Sequence, residues 1–297
     1  MIITTKQILL QSVRSIFLNL KFVILLWVIN AMAAIVLTVP IYNVLIDNLG
    51  RSMISERLAT SFDYLWYLQF RNLYHVQFDQ VPMNIYFVVG IYVLVQTFFS
   101  GGLISIFHIR DKNHTVDFFY GGVRYFFRFV KILFVSLIFF ALAFKINDYL
   151  GDLITWIFKN SENVTADFLL KSLRYILLVF LIGVTTMISD YSRVSIAVKD
   201  KSRVIREIYA AILFIKNNFN KAFSLFLIVA IIGVVGIMVY NIVGRFIPRT
   251  PSYFLILSFI LQQMLIIFRL LVRMMFYSTQ VILFKDLNAD TVNVEVN

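Results

Sequence analysis

The chain has 297 residues, of which 60% are hydrophobic and only 14% are charged, with a mean hydropathy of +0.84 and a formal net charge of +11. Soluble domains carry about 25% charged residues, so this composition excludes an ordinary soluble domain and indicates a membrane protein. Because the chain has no cysteine, disulfides, thiol nucleophiles and cysteine-ligated zinc are excluded.

Six long apolar segments follow one another along the chain. They cover residues 22–46, 82–109, 131–150, 174–188, 222–244 and 251–268. A helix needs about 20 residues to cross the hydrocarbon core of a bilayer. Barrel strands would instead alternate apolar and polar residues over short segments. The sequence therefore predicts an all-α polytopic membrane protein with about six transmembrane helices.

The first apolar segment has a second interpretation, as a cleavable signal peptide. Ala31-Met32-Ala33 has the small residues of a cleavage site. The apolar run nevertheless continues through Ile35 and beyond, where a signal peptide would become polar. We therefore favour a first transmembrane helix, and the other five segments do not depend on the choice.

The longest predicted outer loop covers residues 47–82. Its apolar residues fall on one helical face, namely Ile54, Leu58, Phe62, Leu65 and Trp66. This pattern favours an amphipathic helix on the outer leaflet, with Trp66 as an interface anchor. A lid or a surface for partner docking is the alternative.

Orientation follows from the distribution of lysine and arginine. The N-terminus, the second and fourth loops and the C-terminal end together hold 18 of the 27 Lys and Arg residues, while the acidic residues divide evenly. Basic residues concentrate in cytoplasmic loops, so both ends of the chain are predicted to be cytoplasmic. The charge of +11 is then explained by anionic lipid at the cytoplasmic face, and no nucleic-acid partner is predicted.

An internal repeat is visible near the inner end of every even-numbered span. An apolar stretch closes there with a basic residue and an aspartate, and the aspartates are 89 and 86 residues apart. The three pairs are Arg110-Asp111, Lys199-Asp200 and Lys285-Asp286. We interpret the chain as one membrane domain of three units, about 1–111, 112–200 and 201–286, with a polar tail at 287–297.

Each unit begins with an amphipathic segment, which we predict to be an elbow helix in the inner interface. Arg14 and Lys21 match Arg124 and Lys131 at identical spacing. Asp200 or Ser202 is predicted to cap the third elbow helix. The alternative is a continuous cytoplasmic extension of each span.

The basic–aspartate pairs have a simple explanation at the inner interface. There the cation contacts the headgroup region, and the aspartate begins a turn or caps the next helix. The alternative is that the three aspartates face one central space.

Four ionisable residues near the inner ends of the fourth and sixth spans form a candidate intramembrane cluster. They are Asp190, Arg193, Arg269 and Arg273. Charged side chains at membrane depth are functional candidates. The repeat predicts that Asp190 pairs with Arg273 across two helices and that Arg269 faces a polar cavity. In the alternative, both arginines extend to the cytoplasmic surface.

A second charged set lies near the outer end of the third span. Lys145 and Asp148 are one helical turn apart, so we predict an outer-interface ion pair between them.

Catalytic chemistry has little support in the sequence. The three histidines, His75, His108 and His114, are too scattered for a metal site, and there is no phosphate-binding glycine loop, nucleophile elbow or HExxH motif. We predict no catalytic residue, metal or cofactor. Gly233 and Gly236 would allow close helix packing rather than catalysis.

The stretch 190–200, DYSRVSIAVKD, with the amphipathic segment after it, resembles uncharacterised polytopic membrane proteins of bacteria. The outer loop with Arg51, Ser52 and Trp66 is similar to the same group. Over roughly its second half, the chain is also similar to the membrane domain fused to some glycerophosphodiester phosphodiesterases, without the phosphodiesterase domain. The resemblance implies a bacterial cytoplasmic (inner) membrane location and nothing about catalysis.

Two function classes remain. The first is a non-enzymatic scaffold or accessory protein that interacts with lipid or other membrane proteins, which fits the absence of catalytic motifs. The second is a transporter of a small or lipid-like solute, which fits the internal repeats and the intramembrane charges. An intramembrane enzyme ranks last. A polar cavity lined by Asp190, Arg269 and Arg273 would favour transport, and a dry centre would favour the scaffold.

Overall fold

A computed structural model describes residues 4–50, 54, 58, 63–73, 75–108, 114–159, 163–248 and 253–288. Over these ranges all regular structure is helical, as the sequence predicts. The helices are α1 (Thr5–Leu18), α2 (Leu20–Leu49), α3 (Tyr64–Leu73), α4 (His75–His108), α5 (His114–Ile157), α6 (Val164–Lys199), α7 (Val204–Asn217), α8 (Phe219–Phe246) and α9 (Phe254–Leu287).

Six of the described helices are long and apolar enough to cross a membrane. The segments with that character are Leu20–Asp47, Ile85–His108, Thr115–Ile157, Val164–Lys199, Phe219–Phe246 and Phe254–Leu287. Each overlaps one predicted span, so the prediction of a six-helix polytopic membrane protein is confirmed. The third, fourth and sixth helices extend well beyond the predicted bounds, because their ends carry charged residues that a hydropathy pattern excludes.

Two asparagines separate short amphipathic helices from long apolar ones. Asn19 lies between α1 and α2, and Asn218 lies between α7 and α8, so the helix is interrupted at both predicted elbows, while their place in the inner interface stays a prediction. Each side-chain amide donates to the carbonyl four residues earlier, Asn19 to Ser15 at 2.8 Å and Asn218 to Phe214 at 3.2 Å. Such a side chain competes with the helical hydrogen-bond ladder and favours a bend.

The elbow predicted for the second repeat unit (residues 112–200) is wrong, because α5 runs from His114 to Ile157 without a break. When the first two repeat units are aligned on Arg14 and Arg124, Phe129 falls at the position of Asn19. Phe129 is fully buried and stacks on Tyr125 at 5.8 Å between ring centroids. A phenylalanine has no polar group to offer the backbone, so the helix continues there.

Two helix starts have aspartate or asparagine caps. The Asn163 side chain accepts from the Ala166 amide at 3.1 Å at the start of α6. The Asp63 carboxylate accepts from the Trp66 amide at 3.0 Å beside α3, and the Trp66 ring stacks on Phe70 at 4.8 Å. Part of the predicted outer-loop helix, including Phe62, lies outside the described residues.

The chain divides into two compact units. Unit 1 consists of Met1–Ser12, Thr97–Phe226 and Tyr277–Asn297, and unit 2 consists of Val13–Gln96 and Leu227–Phe276. The described part of unit 1 has a dense core around Leu103, Phe118, Phe129 and Tyr191. In unit 2 most described side chains of α2, α8 and α9 are half-buried or exposed.

Two glycine pairs bring α4 and α5 together within unit 1. A Cβ atom on Gly102 would lie 2.7 Å from the Phe118 carbonyl oxygen, and one on Gly121 would lie 2.7 Å from the Ser105 hydroxyl oxygen. These distances leave no room for a side chain. The backbones therefore approach as closely as small residues allow in membrane helix packing.

Candidate functional site

The first polar cluster surrounds Asp190 in unit 1. Its carboxylate accepts from the Arg193 guanidinium at 3.3 Å, one turn along α6, and from the Gln280 amide at 3.2 Å on α9. Asp190 is only 8% exposed and Gln280 only 4%. A buried carboxylate needs such donors, because an unpaired charge in a core is costly. The cluster therefore links two helices and neutralises its own charge.

Gln280 was not identified from the sequence. The signal was present as Ser278-Thr279-Gln280, a polar triplet inside the long apolar stretch of α9. All three side chains are buried. Buried polar groups in helices point toward hydrogen-bond partners rather than lipid, so a polar triplet of this kind marks the face that packs.

A second buried carboxylate, Glu207, was also missed. Its oxygen accepts from the Ser195 hydroxyl at 2.6 Å, which joins α7 to α6 in the core of unit 1. Glu207 is 6% exposed and Ser195 is fully buried. The available signal was the register of α7, in which Glu207 falls on the same face as the buried Ala211.

Lys199 and Asp200, the second basic–aspartate pair along the chain, have defined contacts in unit 1. Asp200 follows α6 in the left-handed conformation, with φ of 47°. Its carboxylate accepts from Arg124 and, at 3.0 Å, from Arg128 of α5. Neighbouring Lys199 lies 5.5 Å from the Phe284 ring centroid.

The predicted capping of α7 by Asp200 or Ser202 is wrong. Arg203 occupies the N-cap position and no side chain caps the helix. The reason is that the Asp200 carboxylate faces α5, where two guanidinium groups provide stronger, charge-assisted hydrogen bonds than a backbone amide.

The other two pairs differ from the second. Lys285 donates to the His108 carbonyl oxygen at 2.5 Å, which links α9 to the end of α4, and Asp286 is half-buried at the end of α9. Arg110 and Asp111 lie outside the described residues. A shared central space for the three aspartates stays a prediction.

Lys145 and Asp148, the predicted ion pair, each contact a different residue in the structure. The Lys145 ammonium lies 5.7 Å from the Tyr149 ring centroid, and Asp148 accepts from Asn147 at 3.5 Å. Gly151 provides the room for the Arg174 guanidinium of α6, which a Cβ atom would displace. The surroundings of Lys145 are thus aromatic and suit an interface position.

In unit 2, Arg273 and Arg269 lie one turn apart on α9. The Arg273 guanidinium donates to the Gln96 side-chain oxygen of α4. The Gln96 amide nitrogen is buried and has no acceptor within the described ranges. Arg269 is exposed, and over the same ranges no hydrogen bond or ion pair engages it. The predicted Asp190–Arg273 pair stays a prediction, since each has partners within its own unit.

Further polar contacts in unit 2 were not anticipated. The Trp27 indole donates to the Gln263 side-chain oxygen at 2.9 Å, which joins α2 to α9. The Tyr92 hydroxyl donates to the Asn30 side-chain oxygen and joins α4 to α2. Each of these four residues is a single uncharged side chain with no recognisable spacing in the sequence. Their role becomes visible only when the tertiary structure shows the partner.

Two apolar cavities lie among the described residues of unit 2. The larger, about 500 Å³, lies between α8 and α9 and is lined by Ile231, Ile232, Val235, Gly236, Val239, Tyr240, Val243, Leu261, Met264, Leu265 and Phe268. The smaller, about 290 Å³, lies between α2 and α4 beside Pro40 and Phe87. Neither is lined by Asp190, Arg269 or Arg273, so neither is the predicted polar cavity.

Within the described part of the chain, no group of three or more histidine, aspartate or glutamate side chains is placed to hold a metal ion. No protein-family model, curated protein or solved structure matches this chain.

Proposed function

We propose that this integral membrane protein is a non-enzymatic scaffold or accessory protein that holds lipid or other membrane proteins against its helices. One observation carries the proposal: the buried carboxylates Asp190 and Glu207 are both hydrogen-bonded inside unit 1. Groups engaged in this way stabilise helix packing.

The outward surface of the long helices supports the same proposal. Phe127 on α5 and Phe168 on α6 are 77% and 68% exposed, as are many other large apolar side chains. In a membrane such surfaces contact acyl chains or the apolar helices of another protein.

The proposal includes a bacterial inner-membrane location, cytoplasmic ends and contact with anionic lipid. Its support is the concentration of basic residues in alternate loops. The exposed side of α7 adds to this, because Ile205 and Tyr209 are exposed beside the basic residues Arg206 and Lys216. Apolar and basic side chains on one surface suit an anionic headgroup layer.

The three-unit repeat belongs to the proposal as well. Its structural support is the likeness of the two elbows, since α1 and α7 both have 14 residues and both precede an asparagine. Asn19 has φ of −118° and ψ of 22°, and Asn218 has φ of −121° and ψ of 29°. Related units would place the same bend at the same step of the chain.

Native mass spectrometry of the protein, purified in a mild detergent, tests the proposal. We expect the chain to retain phospholipid or a second membrane protein at a defined stoichiometry. A bare monomer would contradict the proposal. Asp190→Ala serves as a comparison, because loosening the core of unit 1 should release the bound molecules if they depend on the folded scaffold.

Transport of a lipid-like solute is the second candidate function. Exposed Arg269 and the unsatisfied Gln96 amide nitrogen favour it, since polar groups at membrane depth often mark a solute path. The probe is a fluorescent phosphatidylglycerol in proteoliposomes, whose transfer between leaflets is followed by dithionite quenching. Faster transfer than in protein-free vesicles would favour transport, whereas equal rates would favour the scaffold.

A further inference from the structure

The cavity between α8 and α9 has the chemistry of bilayer hydrocarbon. Apart from the Tyr240 side chain, its lining consists of aliphatic, methionine, phenylalanine and glycine residues. Both helices are among the six that could cross a membrane. A dry, apolar concavity at that depth excludes water and polar solutes, and it accepts a hydrocarbon chain.

The two helices are antiparallel, which gives the cavity two distinct ends. Gly233 lies opposite Val272 at 3.5 Å, and Gly244 lies opposite Leu261 at 3.9 Å, each measured from an ideal Cβ atom. Gly236 lies against the Phe268 ring, and a side chain there would displace the ring. The absence of a side chain at Gly236 therefore lets Phe268 pack flat against α8 and shape the cavity wall.

The length of the cavity matches one lipid leaflet. Its lining on α8 runs from Ile231 to Val243, which is about 18 Å at 1.5 Å per residue. Half of the hydrocarbon core of a bilayer is about 15 Å thick. One acyl chain from one leaflet therefore fits along the cavity.

A cation lies beside this apolar surface, at about the level of Val235 on α8, because the preceding residue Phe268 lies against Gly236. Arg269 follows Leu265 by one turn of α9, and it is exposed without a protein partner in the described ranges. It lies 15 residues after Phe254, about 22 Å along the helix, so about 8 Å of hydrocarbon remains before the nearer headgroup layer. An arginine side chain can bridge that distance by extending toward the interface.

Two further donors lie near the same level. Arg273, one turn beyond Arg269, is held by the Gln96 side-chain oxygen, and the Gln96 amide nitrogen has no acceptor in the described ranges. A guanidinium group and an amide nitrogen both donate to phosphate oxygens.

We infer that the α8–α9 cavity binds one acyl chain of an anionic phospholipid whose headgroup phosphate is bound by Arg269. The apolar wall selects hydrocarbon, and the arginine beside it selects a negative headgroup. This inference rests on the proposed function and deepens it by naming the class of lipid and the site that holds it.

The test measures phosphatidylglycerol bound to the full chain by native mass spectrometry during titration of delipidated protein, with phosphatidylcholine as the zwitterionic comparison. We expect tighter binding of phosphatidylglycerol. We expect Arg269→Gln to weaken it about tenfold, the effect of losing one charge-assisted contact. The matched control Arg245→Gln removes an exposed arginine at the end of α8's apolar stretch and should leave binding unchanged.

A second pair of variants tests the acyl chain independently of charge. Val239→Phe fills the cavity, whereas Val234→Phe adds the same volume at an exposed position of α8 outside its lining. We expect the first to weaken binding of both phospholipids and the second to change neither. Both positions are exposed, so neither variant disturbs a buried core.

Several outcomes would overturn the inference. Equal affinity for both lipids, equal effects of Arg269→Gln and Arg245→Gln, or equal effects of the two phenylalanine variants would each reject it. Binding of inorganic phosphate by a chain that retains no phospholipid would show an anion site without a lipid and would also reject it. Lipid retained elsewhere on the chain would leave the proposed function standing, whereas a chain that retains neither lipid nor protein would remove both.

Discussion

The two units of the protein stabilise themselves in different ways. Unit 1 buries carboxylates, hydroxyls and amides and engages them with one another, as at Asp190 and Glu207. The described part of unit 2 has apolar cavities between its helices, and single uncharged side chains such as Trp27 and Gln263 join its helices there. Unit 1 therefore has hydrogen-bonded carboxylates in its core, whereas the described part of unit 2 has apolar cavities between its helices.

The largest expected effect comes from removing the buried charge partner in unit 1. Asp190→Ala would leave Arg193 buried without its carboxylate, and we expect the free energy of unfolding to fall by about 3 kcal/mol. Equilibrium unfolding in mixed micelles measures it. Asp167→Ala removes a more exposed pair with Lys171 on the same helix and should cost less than about 1 kcal/mol. Equal losses would mean that burial does not distinguish the Asp190 cluster.

Packing should give the next largest effect. Gly121→Val would force a side chain against Ser105, and we expect a loss of about 2 kcal/mol from overpacking. The matched change Gly90→Val in unit 2 meets open space and should leave thermal stability nearly unchanged. If Gly90→Val were as harmful, unit 2 would be packed as tightly as unit 1.

A neutral hydrogen bond in unit 2 should matter much less. Gln263→Leu removes the acceptor of the Trp27 indole, and we expect a loss of about 0.6 kcal/mol, the average for such bonds between membrane helices. Gln262→Leu changes the exposed neighbour and controls for added hydrophobicity. A loss above about 2 kcal/mol would place this contact among the main supports of unit 2.

The smallest effect is expected at the charged end of α6. Asp200→Asn weakens the contacts with Arg124 and Arg128, but the Asp200 side chain is 45% exposed, so the loss should stay below about 1 kcal/mol. Thermal unfolding at low salt and at about 1 M salt checks this, because high salt should remove most of the difference. A difference that persists in high salt would show that the contact is shielded from solvent.

The sequence by itself determined the class and the number of spans. Long apolar segments must become helices in lipid, because every backbone amide and carbonyl needs a partner there. The amphipathic register of α1 and α7 and the helix-bending asparagines at their ends are equally local. For the same reason Asp190 and Arg193, one turn apart, were recognised as a charged set.

The tertiary structure alone decided where the polar groups find partners. Asp200 binds Arg124 and Arg128, more than 70 positions away in the chain, and Gln280 is 90 positions from Asp190. The α8–α9 cavity depends on Gly236 and Phe268 meeting across two helices. Periodicity shows which face of a helix is buried, but the identity of the group across the contact depends on helix placement, to which distant parts of the chain contribute.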